Sequence, residues 1–230
     1  MSAGCFHSSS LTSVKDDLFD KDAWEKFYAS RLSLENFDWF LDFHDIAENL
    51  IPLIPQVNSV RILDIGCGTS HFGMELYQHL KGNCHIDCVD FSDTAISQMN
   101  QLLAIAKKAG EIECNKKQDS GLFYFVADIK NLPFKSNTFH VVVDKGTSDA
   151  VLRGHKGEDA FYEIFVEALR VLKPDGKLIQ FTDEDPELRL DLLAKFRSQL
   201  QVKVPHLQIV YKELGVTFGV DHFMYTIEKC

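Results

Sequence analysis

This chain has no CxxC pair, no basic run interleaved with aromatic residues, no long apolar stretch and no arginine in its first 14 residues. Without an apolar run near the roughly 18–20 residues that cross a bilayer, no transmembrane helix is expected. The six cysteines are Cys5, Cys67, Cys84, Cys88, Cys114 and Cys230. Cys84 and Cys88 fall on one predicted strand, roughly 13 Å apart at about 3.3 Å per residue, too far for a bridge or a shared metal. All six read as reduced thiols of a reducing compartment. His44, His71, His155 and His222 are scattered, and no spacing suggests metal ligation. The serine-rich start lacks acids, as transit peptides do, but also lacks the arginine they carry. Residues 1–20 are therefore expected to be a disordered tail or a transit-like segment, and 21–230 a single domain.

What is present fits one α/β domain of 230 residues, 45% hydrophobic and 25% charged. The formal net charge of −10 argues against a nucleic-acid partner and favours a basic partner surface. Strand signals at Arg61–Gly66, His85–Phe91, Leu122–Asp128, Phe139–Asp144 and Lys177–Thr182 alternate with helix signals at Phe72–Leu80, Asp93–Lys108, Glu158–Leu172 and Pro186–Leu200. That alternation predicts a doubly wound parallel sheet with helices on both faces. Further helices are expected near Asp22–Arg31 and Trp39–Leu53, and Ala109–Gly121 reads as a loop. Leu207–Leu214 and His222–Glu228 leave no room for a helix between them. They should close a seven-strand sheet with an antiparallel hairpin, unlike a dehydrogenase sheet.

The stretch Leu63-Asp64-Ile65-Gly66-Cys67-Gly68-Thr69 ends an apolar run on Gly-x-Gly just before a helix. Glycine allows a tight turn there and lets a ligand approach the main chain. Asp90, 22 residues beyond Gly68, closes the second strand, where a carboxylate can accept hydrogen bonds from ribose hydroxyls. Asp128 closes the third, where an adenine amino group could lie. NAD would require a third glycine for its pyrophosphate, and His71 stands there. S-adenosylmethionine has ribose, adenine and an amino-acid tail but no phosphate, and fits all three acids. Solvated strand-end carboxylates would account for any one of them singly, less readily for three in register with Gly-x-Gly.

On these motifs, with Val89-Asp90-Phe91-Ser92, Ala127-Asp128 and Leu172-Lys173-Pro174-Asp175-Gly176-Lys177-Leu178, the chain resembles the class I, seven-strand methyltransferases. Trp24-Glu25-Lys26-Phe27-Tyr28, Phe37-Asp38-Trp39-Phe40 and Asp144-Lys145-Gly146-Thr147-Ser148-Asp149-Ala150 resemble the branch that methylates protein lysines, including those of elongation factor 1A. Leu178-Ile179-Gln180-Phe181-Thr182-Asp183-Glu184-Asp185-Pro186 and Lys212-Glu213-Leu214-Gly215 are similar to the mitochondrial lysine methyltransferases of citrate synthase. The resemblance implies S-adenosylmethionine as cofactor, a protein-lysine substrate, citrate synthase before elongation factor 1A, and a mitochondrial location with a cytoplasmic alternative. A cofactor-binding module without catalysis is the rival, and it would commonly show decay at Gly66, Gly68 or Asp90.

The same resemblance implies that Trp24, Tyr28 and Trp39 form an aromatic wall, which plain helix packing would also explain. It places Gly66 beside the cofactor, Asp90 and Phe91 at its ribose and adenine, Asp128 and Ile129 around the adenine, and Lys145 next to the site. A sulfonium gains from aromatic faces. Methyl transfer to an amine is an in-line displacement that releases a neutral thioether, so alignment of the reacting atoms should dominate. Asp144 and Asp149 are candidates for positioning the lysine. Carboxylates there would also keep it protonated, so no general base is assigned. Asp183-Glu184-Asp185 reads as an acidic loop at the substrate edge.

Overall fold

A computed structural model describes residues 20–31, 36–39, 41–112, 119–200, 206–217 and 219–230. The amino-terminal tail, Cys5, Cys114 and the centre of the loop expected at 109–121 lie outside them.

Helix α1 (Lys21–Ser30) starts where the Asp20 side chain accepts from the backbone N–H of Asp22. Helix α2 (Phe43–Leu50) is shorter than the expected Trp39–Leu53. Asp42 and Asp45 form a reciprocal capping box at its start, and a 3₁₀ turn (Ile51–Leu53) carrying Pro52 follows. Trp39 is thus outside the helix. The chain then runs through β1 (Val60–Ile65), α3 (Phe72–His79), β2 (Cys84–Asp90), α4 (Asp93–Ala109), β3 (Gly121–Val126) and β4 (Phe139–Lys145). Next come α5 (Thr147–Leu152), α6 (Gly157–Val171), β5 (Leu172–Thr182), α7 (Pro186–Leu200), β6 (Leu207–Thr217) and β7 (Val220–Lys229). The short α5 has no sequence expectation behind it. It begins directly after the β4 turn, too brief for a helical period to emerge.

The seven strands lie in the order β3-β2-β1-β4-β5-β7-β6. The first five are parallel, and β7 is antiparallel to both β5 and β6. Alternation along β1 sorts side chains to the two faces. Ile62 joins the core under α2, α3 and α4, whereas Leu63 and Ile65 join the core under α6 and α7. A separate aromatic cluster of Trp24, Phe27 and Tyr28 packs with Ala95 of α4 and Ala150 of α5.

From β1 the chain winds outward through β2 and β3, then returns to place β4 on the other side of β1. The loops after β1 and β4 therefore diverge at the switch point, where open α/β sheets form their ligand crevice. At the other end of the sheet, β5 pairs with β7 only as far as Thr182 opposite Phe223. Gly215, Val216 and Thr217 pair with His222, Asp221 and Val220 beyond that point. The hairpin thus projects past the carboxyl edge of β5, exposing Val216 and Val220.

Candidate active site

A cavity of about 430 Å³ opens at the switch point, within the roughly 300–1,000 Å³ of small-molecule sites. Trp24, Tyr28, Trp39, Gly66, Asp90, Phe91, Asp128, Ile129 and Lys145 all line it. Asp144 and Asp149 do not. The Asp144 carboxylate accepts from Ser148 Oγ, from the backbone N–H groups of Thr147 and Ser148 (3.1 Å each) and from Gln180 Nε2 (2.8 Å). Asp149 accepts from Thr182 Oγ1 (2.7 Å) and from Arg189 Nη2. Both residues are buried, Asp144 near the end of β4 and Asp149 within α5.

The glycine turn is shaped by its neighbours. A Cβ on Gly66, which has φ +65°, would fall 2.2 Å from Thr147 Oγ1. One on Gly68, with φ +51°, would fall 2.6 Å from Tyr28 Oη. Side chains at these positions would both strain the backbone and fill the cradle. Asp90 holds the turn: its carboxylate accepts from Gly68 N–H (2.9 Å) and from Ser92 N–H (2.8 Å). Two carboxylate oxygens offer about four acceptor positions, so capacity remains for a ribose. Asp128 is exposed, just beyond the end of β3, and accepts from Lys130 N–H (2.9 Å).

The opposite wall is aromatic. Trp24 and Tyr28 stack at 5.6 Å and 25°, Trp39 lies 6.0 Å from Trp24, and Trp39 abuts Gly146. Asp38 ties this wall to the rest, although its sequence neighbours gave only an aromatic signal. It accepts from Lys145 Nζ (2.8 Å), from Asn36 Nδ2 (2.7 Å) and from Ser70 Oγ of the glycine turn. Burial raises the Asp38 pKa, but the charge and hydrogen bond of Lys145 outweigh it and leave the group below its ordinary value.

Three buried carboxylates go the other way. Burial pushes Asp64 up to about 7, with Lys145 opposing and Asp144, Asp90 and Asp38 reinforcing the rise. Burial raises Asp90 to about 6 against the hydrogen bonds of Ser92 and Gly68. It raises Asp149 to about 6 against Arg189. Folding therefore takes up protons between pH about 4 and about 6–7, and stability should fall as pH rises through that window. His140 opposes the trend, because burial and Lys173 lower its pKa. The three carboxylates outweigh it. We expect the cofactor-free protein to melt at a higher temperature at pH 5.5 than at pH 7.5. Calorimetry showing the reverse order would count against these buried acids.

A family model described as a methyltransferase domain matches residues 56–209. The chain is a class I methyltransferase. It is 36% identical over 218 residues to the human (Homo sapiens) citrate synthase-lysine N-methyltransferase CSKMT, mitochondrial, covering 92% of this chain and 87% of that protein. It is 29% identical over 183 residues to EEF1A lysine methyltransferase 4 of Mus musculus, covering 76% of this chain and 65% of the relative. The crystal structure of a SAM-dependent methyltransferase from Methanosarcina mazei superposes with a TM-score of 0.54 at 20% identity, covering 84% of this chain and 99% of that one. The methyltransferase cofactor is S-adenosylmethionine, and the site suits it. Glycines open the cradle, and the Asp90 carboxylate keeps acceptor positions of the kind ribose hydroxyls need. Trp24, Tyr28, Trp39 and Phe91 line the cavity with flat apolar and aromatic faces of the kind that suit an adenine and a sulfonium.

Proposed function

We propose that this methyltransferase methylates a lysine of citrate synthase, with the segment 21–230 acting as one catalytic unit in mitochondria. The single observation that carries the reading is likeness along most of both chains to relatives named for that substrate and compartment. The matching Leu178–Pro186 segment ends at the carboxyl edge of β5, beside the projecting hairpin. A protein substrate reaching the cavity would meet that edge.

When bound, S-adenosylmethionine supplies a methyl group carried on a sulfonium. Every other contribution comes from the chain. Trp24, Tyr28 and Trp39 exclude water from one side of the cavity, and desolvation lowers the pKa of an incoming lysine from its ordinary value of about 10.4. Asp38 neutralises Lys145, so the Lys145 charge does not stand unopposed against an incoming ammonium. Asp144 and Asp149 were candidates for positioning that lysine. Their oxygens are engaged by Ser148, Gln180, Thr182 and Arg189, which supports a role in holding α5 instead.

The test offers folded citrate synthase and elongation factor 1A at equal concentration with labelled cofactor, followed by mass spectrometry of the modified lysine. Label is expected on citrate synthase in preference. Label on elongation factor 1A alone would move the chain to its second group of relatives. Asp183, Glu184, Asp185 and Glu187 lie at the docking edge, and the net charge is −10. Attraction to a basic surface is screened within about 8–10 Å at ordinary ionic strength. Methylation of the protein should therefore slow as salt rises, and a rate indifferent to salt would remove charge from the docking account.

A further inference from the structure

We infer that Glu25 is a positioning residue for the cofactor, clamping the aromatic wall of the cavity to the loop that carries Asp90. The inference rests on the cofactor assignment and not on the identity of the protein substrate. Helix α4 begins two residues after Phe91, and its first-turn N–H groups need acceptors. Its own N-cap, Ser92, accepts only from Ala95 N–H, at 3.1 Å. The remaining two are satisfied from another element. Glu25 Oε1 accepts from Asp93 N–H at 2.7 Å, and Glu25 Oε2 from Thr94 N–H at 3.2 Å.

Glu25 lies on α1 between two residues of the cavity wall, with Trp24 beside it and Tyr28 one turn on. Asp90 and Phe91, which immediately precede Ser92, form the facing wall. One carboxylate therefore fixes the distance between the two sides of the cavity. Gln98 Nε2 donates to the Tyr28 carbonyl at 3.1 Å and gives α1 a second hold on α4. The Lys21–Asp93 pair at 3.0 Å is exposed, and such pairs contribute little. The Glu25 pKa is in keeping with its geometry. Burial raises it, and the hydrogen bonds of Thr94 and Asp93 bring it below the ordinary value.

The aromatic cluster of α1 is separate from the two cores that hold the sheet. Releasing it should therefore alter the cavity more than global stability. The chain has two tryptophans, Trp24 and Trp39, and both line the cavity. Intrinsic fluorescence thus reports the wall directly.

The experiment compares the full chain with Glu25→Ala and Glu25→Gln by calorimetric titration of S-adenosylhomocysteine, acrylamide quenching of tryptophan in the free protein, and thermal melting. Glu25→Ala should bind about tenfold more weakly, the scale of a lost helix cap. It should also show more accessible tryptophan, with its melting temperature nearly unchanged. Glutamine has one acceptor oxygen in place of two and should recover part of both signals. Wild-type affinity and quenching in a folded Glu25→Ala overturn the inference. Should that variant fail to fold, Glu25→Gln decides: weaker binding at an unchanged melting temperature supports the clamp, and wild-type binding overturns it.

Discussion

Replacing Asp90 by alanine is expected to weaken S-adenosylmethionine binding by about 1.5–3 kcal/mol or more, on the order of 10- to 150-fold. Two losses combine. The first is the carboxylate that faces the cavity, with acceptor capacity for ribose hydroxyls. The second is internal, because the Gly68 and Ser92 N–H groups both donate to Asp90. Without it, two donors in a buried turn lose their acceptor, each costing about 1–3 kcal/mol unless water enters. Asp90→Asn separates the two. An amide accepts through its single oxygen, so it holds one of the two N–H groups and carries no charge. Its affinity should fall between wild type and alanine. Calorimetric titration with the cofactor reads both variants, and a melting curve confirms that each is folded. Unchanged affinity in folded Asp90→Ala would remove Asp90 from the site.

Asp90 also shows what the sequence makes legible. Its position at the end of an apolar run, 22 residues after Gly68, is a local pattern, and it lands on the last residue of β2, as expected. The same holds for the seven strands and the hairpin, because short apolar runs closed by turn residues are local signals. Helix boundaries near Trp39 were less readable, since the Asp42–Asp45 box that starts α2 competes with an aromatic run that extends the helical pattern backward. Contacts between distant segments are the part that no local pattern encodes. Asp38 meets Lys145 across 107 residues and Glu25 meets Asp93 across 68. Both sit inside motifs whose local signal is aromatic. Asp144 and Asp149 illustrate the converse. Their motif placed them near the chemistry, and only the fold reveals that Gln180, Thr182 and Arg189 turn them inward.

Arg189 should carry the largest single effect on stability. It is 1% exposed on α7, with its guanidinium carbon 5.1 Å from the centre of the Phe161 ring. Nη2 donates to Asp149 and, at 3.1 Å, to Thr182 Oγ1, while Nε and Nη1 have no hydrogen-bond partner among the described residues. A buried pair of this kind gains little net energy over an apolar pair, because desolvating two charges offsets their attraction. Removing one member is another matter. Arg189→Met leaves the Asp149 carboxylate buried without its counter-charge, a loss of about 3–5 kcal/mol, which lowers the melting temperature by on the order of 10 °C in a chain of this length. The mechanism makes two further demands. Adding Asp149→Asn to Arg189→Met removes the stranded charge, so the double variant should be more stable than the single one. The deficit of Arg189→Met should also shrink on acidification. Asp149 already titrates near 6 with the arginine present, and without it the pKa rises further, so protonation relieves the charge as pH falls from 8 to 5. A double variant no better than the single, or a deficit independent of pH, would mean that lost packing around Phe161 sets the cost instead.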